Sequence, residues 1–186
     1  LQKNALMLRE LSYIDPLTAL WNRRRFREVL SDELRRVQEE KGKGFGLAFI
    51  DVDCFKGIND TFGHSAGDVV LRRMGAVLQE QLGDADMASR IGDEFVFVMP
   101  GIVGKESAES LLPRICVASV THEDVPCPIS VSIGFAAFPN DGAAFEVLHK
   151  EAGKALYHAK RQGKRQCAFY GELPEPCPRA LNGMIV

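Results

Sequence analysis

The amino-acid sequence predicts an α/β domain of the α+β type, in which helices flank a mainly antiparallel sheet of about five strands. The apolar run at residues 46–51 is typical of a strand that is buried on both faces. Two more apolar stretches, residues 85–89 and 96–100, lie on either side of Gly92, as in a β-hairpin. Segments with helical periodicity alternate with these strands, which gives a split β-α-β-β-α-β order with a further helix at the front.

Length and composition limit the possible classes of protein. The 186 residues suit a single domain, and the net charge of −2 argues against binding of duplex nucleic acid through its phosphates. Five cysteines without a C-x-x-C pair indicate neither a zinc site nor a disulfide framework, so we expect a cytoplasmic location. No apolar run approaches the ~18 residues of a membrane span. We therefore expect no membrane segment in this chain, although a larger, membrane-linked parent protein is compatible with it.

Two helices are predicted before the first strand. Residues 1–13 place leucines along a short helical seam. This seam is either a coiled-coil stub that links the domain to an upstream signalling domain or a helix that packs on its own domain. After Asp15 and Pro16, apolar residues recur at helical spacing over about 22–40, and the glycines of 41–44 end that helix.

The later elements follow in chain order. A loop rich in Asn, Asp and Gly is predicted up to Gly67, and a helix from Asp68 to about Leu82. A weaker helix is predicted from Lys105 to Val120, where Pro113 disrupts its middle. The C-terminal part is predicted to hold a strand at 129–138, a turn at 139–142, a helix at about 144–161, an edge strand at 167–170 and a tail or linker at 171–186.

The predicted hairpin carries two adjacent acidic residues, Asp93 and Glu94. Adjacent carboxylates repel each other unless a cation or a proton lies between them, and hard divalent cations prefer such oxygen ligands. Asp51 ends the first strand, and in a split βαβ sheet that end can lie beside Asp93. With the backbone carbonyl of Val52, these groups suit Mg²⁺. The alternatives are a solvated turn for the hairpin residues and a strand-end cap or salt bridge for Asp51 and Asp53.

Residues 51–68 read D-V-D-C-F-K-G-I-N-D-T-F-G-H-S-A-G-D. This run resembles the D-x-D-x-F-K-x-x-N-D-x-x-G-H-x-x-G-D block of the GGDEF domain family, the diguanylate cyclases that join two GTP molecules into cyclic di-GMP. Two further blocks agree, D-P-L-T-A-L-W-N-R-R at 15–24 and A-L-Y-H-A-K at 155–160, so the resemblance extends over about residues 14–170. It implies a palm-like, nucleotidyl cyclase-like sheet and a metal-dependent nucleotidyl transfer.

The resemblance also implies catalytic and metal-binding roles. Asp51, Val52 and Asp93 match metal-binding positions, for two Mg²⁺ ions per active site, with Mn²⁺ as a possible substitute. Asp93 also matches the position that accepts the hydroxyl proton, and Glu94 would help to set the local charge. Lys56 matches a position that stabilises charge on the phosphates.

Substrate binding falls on a further set of residues, Asn59, His64, Asp68, Gly92, Lys160 and Lys164. The amide of Asn59 and the carboxylate of Asp68 offer the donor and acceptors that a guanine edge needs, and His64 would lie near the ribose or base. Gly92 would let the backbone approach the nucleotide, and the two lysines, one helical turn apart, would reach the β- and γ-phosphates. From the residues alone, Asn59 is equally a turn residue, Asp68 a helix N-cap and the lysines a solvated helix end.

The implied reaction also determines the partners. One active site holds only one of the two GTP molecules, so a homodimer is required by the stoichiometry. We expect residues 1–13 to be a linker or signalling helix, 14–170 the catalytic domain and 171–186 a tail, with a sensor or phosphodiesterase domain attached in a longer parent chain.

The chain departs from the family pattern at several places, of which three bear on function. R-I-G-D-E-F at 90–95 is one residue shorter than R-x-G-G-D-E-F, and Lys164 stands where the family usually has Arg, so the bidentate grip on phosphate is lost. Gly83 replaces the Arg of a product-binding R-x-x-D motif that ends here in Asp86. The short signature and Lys164 favour an alternative function, a degenerate domain that binds GTP and regulates an attached signalling domain. A third alternative is an unrelated palm-like nucleotidyl transferase.

Overall fold

The structure is a computed structural model that describes residues 13–40, 43–117, 120–122 and 125–174. Residues 1–12 of the predicted seam and residues 175–186 of the predicted tail lie outside this part. The strands are β1 (Trp21–Asn22), β2 (Phe45–Val52), β3 (Met87–Ile91), β4 (Glu94–Pro100), β5 (Val120–His122), β6 (Val125–Ile129), β7 (Val131–Phe138) and β8 (Cys167–Phe169). The α-helices are α1 (Arg23–Glu40), α2 (Phe55–Phe62), α3 (His64–Gln81), α4 (Lys105–Ala108), α5 (Leu112–Val117) and α6 (Phe145–Arg161), and a 3₁₀ turn follows at Tyr170–Glu172.

The main sheet has six strands in the order β1-β3-β4-β2-β7-β8, and β5 and β6 form a separate hairpin. Strand β2 is central and pairs antiparallel with both β4 and β7, whereas the edge pairs β1-β3 and β7-β8 are parallel. The predicted mainly antiparallel sheet flanked by helices is confirmed. It has one strand more than predicted, because Trp21 and Asn22 add a two-residue edge strand directly before α1.

The central strands are apolar along nearly their whole length because helices cover both faces of the sheet. One face of β2, with Ala48 and Ile50, belongs to the core cluster that includes Met74 of α3. The other face, with Leu47 and Phe49, belongs to the cluster that includes α1 and α6. Gly134 in β7 permits the close approach of α6, since a Cβ atom there would lie 2.1 Å from the backbone nitrogen of Leu156.

Two parts of the predicted secondary structure are wrong. The segment expected as a loop up to Gly67 contains helix α2, and α3 begins at His64 rather than at Asp68. Its many Asn, Asp and Gly residues are typical of loops, but Ile58 packs into the core and stabilises the extra helix. Asp68 therefore lies within the first turns of α3 and is not its N-cap.

The single helix predicted at 105–120 is also wrong. It is divided into α4 and α5, and Pro113 is the second residue of α5, a position in the first turn where a missing N–H is tolerated. Among the described residues, no helix combines the length and apolar character needed to cross a membrane.

Candidate active site

Two acidic residues lie opposite each other where strand β2 ends and strand β4 begins. The antiparallel register places Asp51 of β2 directly opposite Glu94 of β4. Residues in register across two strands have their side chains on the same face of the sheet, about 5 Å apart at Cβ. Strand β4 begins at Glu94, so Asp93 lies one position earlier, exposed in the turn between β3 and β4. The structure thus pairs Asp51 with Glu94, whereas the sequence prediction paired it with Asp93.

The short signature closes as a two-residue hairpin turn. Ile91 and Glu94 form the last pair of the β3-β4 ladder, which leaves Gly92 and Asp93 as the turn residues. Gly92 has φ of +70°, and Asp93 is not among the residues with positive φ, which is the pattern of a type II′ turn. One glycine therefore suffices for this turn. A Cβ atom at Gly92 would meet nothing within 4 Å, so space is open above the turn for a ligand.

A lysine partly balances the acidic charges at this end of the sheet. Burial raises the pKa of Asp51, the hydrogen bond from Lys160 lowers it in part, and Asp93 and Asp53 raise it further. Burial likewise raises the pKa of Glu94, and the charge of Asp51 adds to this increase. Lys160 Nζ lies 2.8 Å from Asp51 Oδ2, so an ammonium group partly neutralises the pair. Such a site favours the binding of a further cation.

The donor set fits a magnesium ion that takes part of its ligands from substrate. The described residues contain no group of three or more His, Cys, Asp or Glu side chains placed to hold a metal. Asp51 and Glu94 nevertheless supply two carboxylates, and Val52 ends β2 beside them. Mg²⁺ is commonly bound through one or two carboxylates together with waters and substrate phosphates. The residues present therefore fit such an ion, and a bound triphosphate would complete its coordination.

Asp53 has a different role from Asp51. Its side chain is buried and accepts hydrogen bonds from Ser132 Oγ at 2.6 Å on Oδ1, and from Ser130 Oγ at 2.6 Å and Arg165 N at 3.0 Å on Oδ2. Both carboxylate oxygens are therefore occupied by protein donors. Asp53 thus connects the end of β2 to β7 and to the segment after α6 through hydrogen bonds, and none of these three contacts is the salt bridge considered for it. This network could not be predicted from the sequence, since it depends on residues about 80 positions apart.

The residues expected to bind guanine lie on α2 and α3. Asn59 Oδ1 is buried and has no hydrogen-bond partner among the described residues. It lies against Gly67, where a Cβ atom would come within 2.0 Å of it. His64 and Asp68 are both exposed, and their spacing of four residues on α3 places them on one face. Lys56 is exposed on α2. An unsatisfied buried amide oxygen beside exposed polar groups is suited to a ligand that donates a hydrogen bond.

The two lysines converge on the end of β2, but not along one helix as predicted. Lys160 lies in the last turn of α6, which ends at Arg161. Lys164 lies in the following turn with φ of +64°, and its Nζ is 3.1 Å from Cys54 Sγ. The contact with Cys54 raises the pKa of Lys164. The structure thus brings both ammonium groups to residues 51–54, next to the carboxylates.

Known proteins resemble this chain in sequence. The family model described as "Diguanylate cyclase, GGDEF domain" matches residues 12–166. "Diguanylate cyclase DgcP" of Pseudomonas aeruginosa is 38% identical over 160 residues, which are 84% of this chain and 24% of that protein. "Diguanylate cyclase DgcS" of Shewanella oneidensis is 35% identical over 87% of this chain and 55% of its own length. "Cyclic di-GMP phosphodiesterase NbdA" of Pseudomonas aeruginosa is 34% identical over 88% of this chain and 21% of its own length.

Solved structures show the same fold. The diguanylate cyclase SiaD from Pseudomonas aeruginosa, solved with its activator SiaC, superimposes with a TM-score of 0.79 at 32% identity, over 90% of this chain and 65% of that one. The coiled coil and GGDEF domain of DgcB from Caulobacter crescentus, in complex with c-di-GMP, gives a TM-score of 0.80 at 27% identity, over 90% of this chain and 91% of that one. The chain spans less than two thirds of the length of the curated relatives named above.

Proposed function

The chain belongs to the GGDEF domain family of diguanylate cyclases, and we propose that it condenses two GTP molecules into cyclic di-GMP and two pyrophosphates. The observation that supports this most directly is the pairing of Asp51 with Glu94 across two central strands, with Lys160 Nζ 2.8 Å from Asp51. Two half-buried carboxylates beside an ammonium group form a site for a cation and the phosphates that accompany it.

In the proposed reaction, the acidic residues bind metal and accept a proton. The proposed metal ligands are Asp51, the carbonyl of Val52 and Asp93, and the register adds Glu94 to them. Bound Mg²⁺, up to two ions per site or Mn²⁺ in its place, would activate the attacking hydroxyl and neutralise charge on the leaving pyrophosphate. Asp93 is exposed at the hairpin turn, where its carboxylate can accept the 3′-hydroxyl proton of a GTP held by the facing copy of the chain.

The remaining residues would hold the nucleotide. Asn59 and Asp68 are proposed to bind the guanine edge, with His64 near the ribose or base, and the orphaned Oδ1 of Asn59 supports this assignment. Lys56, Lys160 and Lys164 are the proposed phosphate ligands. Gly92, whose open side faces no other atom, would let the backbone approach the triphosphate.

The reaction also implies partners. Each 3′-hydroxyl forms a P–O bond with the α-phosphate of the other GTP, and the bond from that phosphorus to the β-phosphate oxygen breaks. One site binds one GTP, so two copies of the chain must face each other. The greater length of the curated relatives supports an attached sensor or phosphodiesterase domain in the parent protein. The predicted cytoplasmic location stays a prediction.

The direct test is to incubate the purified protein with GTP and Mg²⁺ and to measure cyclic di-GMP by chromatography. We expect product with the natural chain and a loss of at least about a hundredfold with Asp51→Asn or Asp93→Ala, since each removes charge that the transition state needs. Pyrophosphate release without cyclic di-GMP would indicate a different nucleotidyl transfer. Activity that survives both substitutions would contradict the assignment.

A second candidate is a degenerate domain that binds GTP and regulates an attached domain. The one-residue-shorter hairpin turn and the contact of Lys164 with Cys54 favour it, because each changes a group that would touch the triphosphate. The two functions differ in one result. A regulatory domain binds GTP with measurable affinity but forms no cyclic di-GMP at any protein concentration, whereas a cyclase forms product at a rate that rises steeply as dimers form.

A further inference from the structure

The segment after α6 has a strained backbone at the residue that is proposed to bind phosphate. Lys164 and Arg165 have φ of +64° and +49°, in the left-handed region that residues other than glycine seldom adopt. Two consecutive residues of this kind are unfavourable unless surrounding contacts hold them. Something in the fold must therefore stabilise this turn.

The backbone N–H of Lys164 donates to Ala159 O at 3.1 Å, and the buried side chain that contacts the turn is that of Asp53. Its buried carboxylate accepts the backbone N–H of Arg165 at 3.0 Å, directly after Lys164. Two serine hydroxyls hold the same carboxylate at 2.6 Å, and Asp53 N donates to Ser130 O at 2.9 Å. Asp53 is thus bonded to Ser130 and Ser132 as well as to the turn. A carboxylate held in this way is a rigid support for a strained backbone.

The position of Lys164 follows from this support. The neighbouring residue Cys54 contacts Lys164 Nζ at 3.1 Å, so residues 53 and 54 together hold the turn against the end of β2. Lys160 reaches Asp51 from the preceding helix. Since Asp53 bonds to the backbone of Arg165, loss of its carboxylate should move Lys164 relative to Asp51. The contact of Lys160 with Asp51 would stay in place.

We propose that Asp53 is a positioning residue, which orients Lys164 toward the β- and γ-phosphates by anchoring the backbone of Arg165. The inference rests on the proposed function, since it takes Lys164 to be a phosphate ligand. The Asp53 side chain is buried and accepts three hydrogen bonds from protein donors, so we assign it no direct contact with metal or nucleotide.

The test compares two nucleotides that differ only in the phosphates that Lys164 would contact. The probes are the α,β-methylene analogue of GTP, in which the bond that the reaction breaks cannot be cleaved, and GMP, each with Mg²⁺ in a calorimeter. We expect Asp53→Ala and Lys164→Ala each to raise the Kd of the triphosphate analogue about tenfold, as loss of a charge-assisted contact does, and to leave the Kd of GMP within twofold. The double variant should bind like Lys164→Ala alone, since Asp53 acts through Lys164.

Two controls separate positioning from general support of the fold. Ser132→Ala removes a bond to the other oxygen of Asp53 and leaves the Arg165 bond in place, so its Kd for the analogue should stay within twofold of the natural chain. Asp53→Asn should restore most of the affinity, because one amide oxygen still accepts the Arg165 N–H while the Ser132 hydroxyl turns to accept from the amide.

Folding is checked by circular dichroism, and hydrogen exchange on the natural protein tests the anchor without a substitution. The Arg165 amide should exchange at least about tenfold more slowly than an unprotected amide. Fast exchange there, equal weakening of GMP and the analogue by Asp53→Ala, or additive losses in the double variant would overturn the inference. A natural chain that binds neither nucleotide would instead overturn the proposed function, and the inference with it.

Discussion

Replacing Lys160 with methionine tests the electrostatic reading of the site in the absence of nucleotide. Lys160 Nζ lies 2.8 Å from Asp51 Oδ2, and the two side chains are only 25% and 20% exposed. Removal of the ammonium leaves Asp51 opposite Glu94 with no cation between them. The Lys160→Met protein should therefore be less stable at neutral pH, and added Mg²⁺ should restore its stability.

The magnitude follows from the burial and geometry of this contact. A charge-assisted hydrogen bond of this length contributes about 1.5–3 kcal/mol when partly buried, more than an exposed ion pair. For a chain of this size, about 2 kcal/mol corresponds to a fall in Tm of roughly 4–8 °C. Mg²⁺ at about a hundred times its Kd would return about 2.7 kcal/mol. In the natural chain Lys160 competes with Mg²⁺ for Asp51, so we expect the variant to bind Mg²⁺ about tenfold more tightly.

A matched control lies six residues earlier on the same helix. Lys154 Nζ contacts Glu151 Oε2 at 2.6 Å, with side-chain exposures of 25% and 10%, so Lys154→Met removes a comparable ion pair away from the carboxylates. The assay is the Tm of each variant across a Mg²⁺ titration at pH 7.5 and constant ionic strength. The reasoning is refuted if Lys160→Met melts at the temperature of the natural chain without Mg²⁺, or if Mg²⁺ stabilises both variants equally.

Three further outcomes are expected. Burial raises the pKa of Glu94 above its ordinary 4.5, so its ionised form weakens the fold as pH rises through the raised value. Glu94→Gln should therefore raise Tm at pH 7.5. A gain in Tm that does not shrink below about pH 4.5 would contradict this effect of ionisation. Gly92→Ala should lower Tm by about 2–4 °C because φ is +70° there. Gly153→Ala, in open space within α6, should raise Tm. Equal effects of the two substitutions in melting experiments would contradict the turn geometry. Cyclic di-GMP should not inhibit the protein through Asp86, because Gly83 stands at the arginine position of the product-binding motif and donates its N–H to Asp86 Oδ2 at 2.9 Å. Tight product binding in a calorimeter that Asp86→Ala abolishes would contradict this prediction.

The main elements could be predicted because their causes are local. A continuous apolar run predicts a strand covered on both faces, and β2 is such a strand at the centre of the sheet. Helical periodicity gave α1 and α6 to within one or two residues of their observed ends. The positions of Asp51 at the end of β2 and of the acidic pair at the hairpin followed from these elements.

Other features could not be predicted because their causes are distant in the chain. Strand β1 has two residues, too few for any periodicity, and exists through its parallel pairing with Ser89 and Arg90 of β3. Helix α2 is stabilised by burial of Ile58, which its loop-like composition conceals. The left-handed turn at Lys164 and Arg165 is hydrogen-bonded to Asp53, more than a hundred positions earlier. Composition and spacing carry no information about such contacts.

The hairpin shows why strand register, and not the signature alone, decides which carboxylate faces Asp51. Matching the signature letter by letter assigns the metal to Asp93, but the side chain that faces Asp51 is decided by the register of β2 and β4. The two-residue turn makes Glu94 the first residue of β4, and the pairing of β4 with β2 places Glu94 opposite Asp51. Asp93 stays at the exposed turn, where its charge still raises the pKa of both other carboxyl groups. In the proposed reaction, Glu94 therefore lies beside the cation that Asp51 binds, and Asp93, at the exposed turn, can both contact that cation and accept the 3′-hydroxyl proton.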